Sequence, residues 1–370
     1  MNASPMNAPV THARHHRSLL HRFASQPTYR PHRFLTALSL ALAVLLLAVA
    51  SPASTLTPAV SAQGPLMIRI SHQPILIAAP LFIAKEKGYF ERANVNVELQ
   101  PMWSSPEIIA SFASGGLEAA AGGFGPAQMN ATARGILDPR LIAPLHTEKA
   151  PVATPLVVSK ALWDSGEVRS VADLRGRKVA INSKASATEY WLHAALAQGG
   201  LTQADVDVVI LPFPDAVLAM ANGVLDASIL GEPTAVLAEQ NGTIVRLSED
   251  FIDNFQVTAV YFDATFAEQN RPAVEAFLAA YLQGARDLEG EGYRSPENLA
   301  ILEKYTSTPA ETIAASSLPF HDPEGRIHIE DFQKLNDFFT AQGDAPAFDM
   351  SSIIDVSYAE AARQRLAAGW

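Results

Sequence analysis

The sequence predicts an α/β fold of two lobes, each around a mixed, mostly parallel sheet, joined by two hinge crossovers with a cleft between. Three observations predict it. From Leu66 onward short β-like runs alternate with helical ones, the pattern of sheets assembled from strand–helix–strand units. One such unit occurs twice: Pro106 to Ala120 (PEIIASFASGGLEAA) and Pro214 to Ser228 (PDAVLAMANGVLDAS) align without a gap. Proline, an acid, an apolar residue, Gly, Leu, a second acid and Ala fall in register, and each copy runs on into glycine and proline, Gly123-Phe124-Gly125-Pro126 and Gly231-Glu232-Pro233. Punctuation alone explains the Pro and Gly, but a shared Gly-x-Leu-acid-Ala at one offset indicates a repeat. Finally, 370 residues at 48% hydrophobic can bury a core in each of two lobes.

The elements follow in order. Met67 to Ser71 reads as a strand, and Pro80 to Lys87 as a helix closed by Gly88. Val95, Val97 and Leu99 alternate as one face of a strand. Ser105-Pro106-Glu107 starts a helix: a hydroxyl at the cap, proline in the first turn and an acid near the positive end, with Gly115 as its stop. Leu141 to His146 and Pro155 to Ser159 are strand-like and flank Thr147 to Pro151, the expected first crossover. Ser170 to Gly176 is a capped turn into a strand at Lys178 to Ile181, and Gln256 to Phe262 carries the chain back. From Phe266 the chain is helix-rich, with Val274, Phe277, Leu278, Tyr281 and Leu282 at helical spacing as core. The expected division is 1–62 leader, 63–152 first part of lobe 1, 153–255 lobe 2, and 256–370 return to lobe 1 with terminal helices.

The leader reads as an export address. Arg14, Arg17, Arg22, Arg30 and Arg33 precede the apolar run from Phe34 to Ala50, and Val60-Ser61-Ala62 offers small residues for cleavage before Gln63. An uncleaved anchor is the alternative, since the run is at the short end of a membrane span. Either way the body is expected outside the cytoplasm. No acid precedes Gln63, so removing the five arginines leaves 22 basic residues against 38 acidic, a net charge near −16. Such a body repels nucleic acid. The absence of cysteine excludes disulfides, a Cys-linked lipid anchor, thiolate metal sites and Cys nucleophiles.

In this order and spacing the motifs resemble the nitrate/sulfonate/taurine and thiamine-precursor solute-binding proteins, a type II periplasmic-binding family. The markers are Pro80-Leu81-Phe82-Ile83-Ala84-Lys85-Glu86-Lys87-Gly88-Tyr89-Phe90, Ala113-Ser114-Gly115 before Leu117-Glu118-Ala119, and Asp173-Leu174-Arg175-Gly176-Arg177-Lys178-Val179-Ala180. Gly200-Leu201-Thr202 with Asp205-Val206, and Asn222-Gly223-Val224-Leu225-Asp226-Ala227 with Glu232-Pro233, complete the set, which runs from about Ile68 to the final helices. The resemblance implies a ligand clamped between the lobes, with closure presenting a surface to a membrane permease.

Candidate ligand-binding residues sit where strands end and helices begin, because helix N-termini present unpaired N–H groups there. These are His72 and Gln73 after the first strand, Trp103, Ser104 and Ser105 before the Pro106 helix, and Phe124 and Gly125 before the Pro126 helix. In lobe 2 they are Asn182, Ser183, Ser186 and Thr188 before the helix carrying Tyr190 and Trp191, with Phe213 and Glu232 at the repeat-equivalent places. The hydroxyls suit an oxyanion or carbonyl, and equally suit capping. Trp103, Phe124 and Phe213, with Trp191 a weaker candidate, suit a flat ring or the core. Glu232 suits a ring N–H or amine, or a cap before Pro233. His72 is expected to be a neutral hydrogen-bonding residue and His146 structural, since no histidine pair has metal-ligand spacing outside the leader.

Members that bind sulfonate or nitrate typically keep a glycine-rich turn after the second strand and a Gly-Ser at the lobe 2 helix start. Here those places hold Trp103-Ser104-Ser105 and Ala185-Ser186. Bulkier residues limit close backbone approach to a compact oxyanion. The expectation is therefore a heterocyclic or aromatic solute, such as a thiamine-pyrimidine precursor or flavin-like compound, with sulfonate, taurine or nitrate as the alternative. The expected role is the binding component of an ABC importer, a monomer serving permease and ATPase subunits, without cofactor or metal. An enzyme on this fold is disfavoured: the thiamine-pyrimidine synthases that this family also resembles are cytosolic with a cysteine-rich signature, against a leader and no cysteine here. A sensor domain is disfavoured by the lack of a membrane or kinase segment after the body. No catalytic triad spacing or phosphate loop is present.

Overall fold

The computed structural model describes residues 64–369, so the readings made for the leader and its cleavage lie outside them. The chain divides into Met1–Ala62 and Gln63–Trp370, and only the second unit is described below. Its first lobe starts with β1 (Leu66–His72), α1 (Ala79–Glu86) and the short α2 (Tyr89–Arg92). Then come β2 (Val95–Pro101), α3 (Ser105–Ala113), β3 (Ala119–Gly123), α4 (Pro126–Ala133) and β4 (Pro139–Pro144). The second lobe runs β5 (Leu156–Ser159), α5 (Lys160–Ser165), β6 (Lys178–Ile181), α6 (Ala187–Gln198), β7 (Asp207–Ile210) and α7 (Phe213–Ala221). It ends with β8 (Ala227–Ile229), α8 (Thr234–Gln240) and β9 (Ile244–Ser248). The chain returns through β10 (Thr258–Asp263) to α9 (Ala264–Gln269), α10 (Arg271–Arg286), α11 (Pro296–Thr306), α12 (Ala310–Ala314), α13 (Ile329–Ala341) and α14 (Ser357–Ala367).

Two five-stranded sheets result, ordered β2-β1-β3-β10-β4 and β7-β6-β8-β5-β9. They share one topology. In each, the first three strands are parallel and the fourth, the strand that follows a crossover, runs antiparallel to both neighbours. The duplicated sequence unit occupies equivalent places, covering α3 with the start of β3 and α7 with the start of β8. The helix-spaced residues Val274, Phe277, Leu278, Tyr281 and Leu282 are all buried on α10, which packs on α1 and α14. β3 lies in the middle of its sheet with the sequence AAAGG. Small side chains on both faces leave room at its carboxyl end, and that room is the floor of the cleft.

The two crossovers pair with each other. Glu148 N–H donates to Phe255 O at 2.9 Å and Phe255 N–H returns to Glu148 O at 3.1 Å. Thr147 N–H also donates to Phe320 O at 2.8 Å, so the stretch between α12 and α13 braces the hinge. β4 ends at Pro144 and β10 starts at Thr258, two residues inside the ranges read from sequence, and the flanking residues bond at the crossovers and to neighbouring segments. Gln256 Nε2, for example, donates to Thr147 Oγ1 at 3.1 Å. Among the described residues no helix is long and apolar enough to cross a membrane.

Candidate functional site

A cavity of about 80 Å³ lies between the lobes, where β1, β2, β3, β6 and β7 end and α3, α4, α6 and α7 begin. Lobe 1 lines it with Gln73, Ile75, Ile77, Trp103, Ser104, Ser105, Ile108, Ala121, Gly122, Gly123 and Gln128. Lobe 2 adds Asn182, Ser183, Ser186, Ala187, Thr188, Trp191, Phe213 and Gly231, and the hinge adds His146, Thr154 and Thr258. Nine of the thirteen candidate residues are therefore brought together: Gln73, Trp103, Ser104, Ser105, Asn182, Ser183, Ser186, Thr188 and Phe213.

The other four lie elsewhere, each for a physical reason. Phe124 is fully buried in the core of lobe 1, edge-on to Tyr261 with ring centroids 5.4 Å apart. His72 is buried edge-on to Phe82 at 5.0 Å, and burial lowers its pKa, so it is a neutral core imidazole. Glu232 caps and pairs: its carboxylate accepts from Val236 N–H at 2.9 Å and from the Arg246 guanidinium. Its pKa is nonetheless raised, because burial outweighs Arg246. Gly125 is a point of lobe contact. A methyl group there would lie 3.0 Å from Ala185 O and 3.3 Å from Ser186 Cα.

The candidate hydroxyls do not cap their helices. Ser104 and Ser186 stand at the N-caps of α3 and α6, and neither side chain caps its helix. Gln128 Oε1 accepts from Gly125 N–H at 3.3 Å, and its Nε2 donates to Ser105 Oγ at 3.0 Å. Ser105 Oγ thus accepts from inside the protein, which leaves its own proton for a ligand. Thr188 Oγ1 donates to Asn182 Oδ1 at 2.6 Å, which leaves the Asn182 amide N–H₂ as the donor side of that group. Ser186 Oγ donates to Ser183 O at 2.6 Å and also contacts Thr188 Oγ1 at 2.9 Å. Those three contacts share two hydroxyl protons, so the chain of bonds can be re-polarised by an incoming acceptor. The supporting loop is held in a costly form. Ala185 sits at φ 54°, a left-handed conformation that disfavours a side chain by roughly 1–2 kcal/mol. Its N–H is held by the buried carboxyl of Glu189, whose pKa burial raises.

Sequence reasoning missed the hinge wall. His146 Nδ1 lies 2.6 Å from Thr258 Oγ1, and its Nε2 lies 3.2 Å from Glu148 Oε1. Glu148 also accepts from Thr154 Oγ1 at 2.6 Å and from Ala153 N–H at 2.9 Å. Both ring nitrogens and the Thr154 hydroxyl are consumed, so this wall is rigid and its free hydrogen-bonding capacity low. The signal available in sequence was the position of these residues at both crossovers, which any ligand between two lobes must approach. Trp191 contributes a wall as well, although only 2% of it is exposed. Among the described residues no Lys, Arg, Asp or Glu side chain lines the cavity, and no cluster of three or more His, Asp or Glu is placed to hold a metal.

An acceptor-rich group is what this arrangement can hold. The N-termini of α3, α4, α6 and α7 converge on it, and a helix N-terminus carries a partial positive charge. One curated relative, a putative aliphatic sulfonates-binding protein of Escherichia coli (strain K12), is 30% identical over 153 residues, 41% of this chain. The match spans 46% of that relative, less than half its length. Among solved structures, the alkanesulfonate-binding protein SsuA from Xanthomonas axonopodis pv. citri, bound to MOPS, superposes with a TM-score of 0.64 at 19% identity. It covers 79% of this chain and 99% of its own. The periplasmic nitrate-binding protein NrtA from Synechocystis PCC 6803 superposes with a TM-score of 0.69 at 18% identity, covering 82% and 89%. The two-lobed fold is thus that of periplasmic binding proteins. A family model described as the NMT1-like family matches residues 61–301, well over half of the sequence, and the chain belongs to that family.

Proposed function

We propose that the chain is the extracytoplasmic binding component of an ABC importer, and that its solute is a small organic anion: an oxyanion head, such as a sulfonate, on an apolar body. The observation that carries this reading is the character of the cavity. Both lobes wall it, Ser105 Oγ and the Asn182 amide N–H₂ keep donors for a ligand, and no charged side chain of either sign lines it. Donors and helix dipoles stabilise an anion without a counter-ion, whereas an ammonium or a protonated ring would find no carboxylate. Size points the same way. About 80 Å³ is far below the several hundred Å³ of pockets for drug-sized ligands. This favours a compact head over the heterocycle anticipated from the turn residues, and a flavin-sized ring least of all. Ile75, Ile77, Ile108, Trp191 and Phe213 supply apolar walls for the adjoining body.

Isothermal titration of the purified protein with ethanesulfonate, taurine, nitrate and an aminopyrimidine tests this. Ethanesulfonate is expected to bind, with taurine at least about tenfold weaker because burying its ammonium unpaired costs more than 1.4 kcal/mol. Tight aminopyrimidine binding without any response to sulfonates would overturn the oxyanion head.

A further inference from the structure

The hinge wall of the cavity carries two titratable groups that the oxyanion reading leaves idle. His146, Thr154 and Thr258 line the cavity, Glu148 bonds to the first two, and all four are buried. The number of protons in this wall decides what it can offer a ligand. The Glu148 carboxylate accepts from Ala153 N–H at 2.9 Å and from Thr154 Oγ1 at 2.6 Å, and lies 3.2 Å from His146 Nε2. A carboxylate only accepts, so Nε2 carries the proton of a neutral ring and Nδ1 is bare. Thr258 Oγ1, 2.6 Å from Nδ1, then spends its only proton there while accepting from His146 N–H at 3.3 Å. In this form Thr258 presents no donor to the cavity. One added proton reverses that. It rests on the ring, as imidazolium, or on Glu148 with the ring in its other tautomer, and in both cases Nδ1 becomes the donor. Thr258 Oγ1 then accepts from Nδ1 and from the backbone, which frees its own proton for an acceptor in the cavity.

We propose that the oxyanion head binds together with one proton, taken from water onto the His146–Glu148 pair, and that Thr258 is the donor this proton releases. The proposal rests on the oxyanion-head reading above. Charge is the physical reason. No Lys or Arg lines the cavity, so an anion entering alone brings an uncompensated charge into a buried site, whereas a proton at the wall balances it. The groups packed against the pair do not compete for that proton. His321, between α12 and α13, reaches Leu145 O at 2.8 Å, and burial pushes its pKa down to about 3. Tyr281 of α10 bonds Pro144 O and Leu145 O at 3.0 and 3.1 Å, Tyr293 bonds His321, and burial raises both phenols. Asp322, although burial opposes it, is held below the ordinary carboxylate range by Arg326. Lys149, next along the crossover, lies over the Phe320 ring.

Calorimetric titration of ethanesulfonate into the full chain, in two buffers of different ionisation enthalpy, counts the protons, because the sulfonate itself does not titrate. Between about pH 5 and pH 9 uptake is expected to pass through a maximum approaching one proton per ligand, with affinity falling as pH rises by at most about tenfold per unit. Thr258→Val, checked for folding by circular dichroism, is expected to bind more weakly, with little uptake and a nearly flat pH profile, and Thr258→Ser to restore both. Nitrogen NMR of the parent gives a readout that needs no variant: at the pH of maximal uptake His146 Nδ1 is expected to be bare without ligand and protonated with it. Ethanesulfonate binding without uptake at any pH overturns the coupling and leaves the head reading standing. Uptake that survives unchanged in Thr258→Val, or an Nδ1 that stays bare in the complex, also overturns the coupling. No ethanesulfonate binding at all overturns the head reading, and this one with it.

Discussion

Trp103 and Phe124 stand at equivalent strand-to-helix junctions two elements apart, and they separate what a side chain's type says from what its neighbours decide. Trp103 is 45% exposed at the mouth of the cavity, while Phe124 is wholly buried against Tyr261. Trp103→Ala is therefore expected to leave the folded protein nearly as stable and to weaken ligand binding by about 1–3 kcal/mol. Phe124→Ala is expected to destabilise the fold by about 3–5 kcal/mol through the cavity it leaves, with unchanged affinity in the folded fraction. Urea titration and calorimetric binding measured on both variants check the pair, and a reversed pattern would exchange their roles. The contrast also shows why the site was only partly legible in sequence. That Ser104, Ser105, Asn182, Ser186 and Thr188 would line one cavity could be anticipated because helix starts after strands converge by rule. Glu232 and His72 could not be assigned, because Arg246 and Phe82 reach them from elements 14 and 10 residues away along the chain, a pairing that only the tertiary fold reveals.

Elements carry their own electrostatics, most plainly where the stretch between α12 and α13 meets the hinge. His321 is buried there, with Nδ1 at 2.8 Å from Leu145 O and Nε2 at 3.2 Å from the Tyr293 hydroxyl. Desolvation pushes its pKa down from 6.5 to about 3. Between those values the unfolded chain binds a proton that the folded chain refuses, so stability rises with pH across the window. The contribution is complete above pH 6.5 and is lost as pH falls towards 3. From pH 6.5 to pH 4.5 this one group is expected to cost about 2 kcal/mol. His321→Gln should flatten that part of the stability–pH curve. Some slope remains, since His72 is held neutral by burial as well. Equal slopes in urea midpoints for the variant and the parent would show that His321 is not the group responsible. This brace was illegible beforehand, because the segment has neither helical nor strand periodicity. By contrast β1, β2, β6, α3 and α10 were readable from alternation, caps and helical spacing alone.

At the scale of the two lobes, specific contacts join one to the other. Gly125 of lobe 1 lies against Ala185 and Ser186 of lobe 2, Ile75 lies against Gly231, and Leu76 N–H donates to Glu232 O at 3.3 Å. The backbone at Gly125 has φ −115° and ψ −166°, extended values that any residue adopts, so a side chain there meets no conformational penalty. What it meets is the opposite lobe, and only when the lobes are together. A valine at this position would have to displace Ala185, which is already held in a left-handed conformation by the Glu189 carboxyl and has little freedom to yield. Gly125→Val is accordingly expected to spare the stability of the ligand-free protein while raising the free energy of the closed arrangement by about 1–3 kcal/mol. Affinity would fall roughly 5- to 150-fold, since the apparent dissociation constant scales with the fraction of molecules able to close. Small-angle scattering supplies the independent readout: ligand should contract the parent and leave the variant extended at the same concentration. If the variant binds as tightly and contracts as fully, the lobes do not meet at residue 125, and enclosure of the solute between them loses its physical basis.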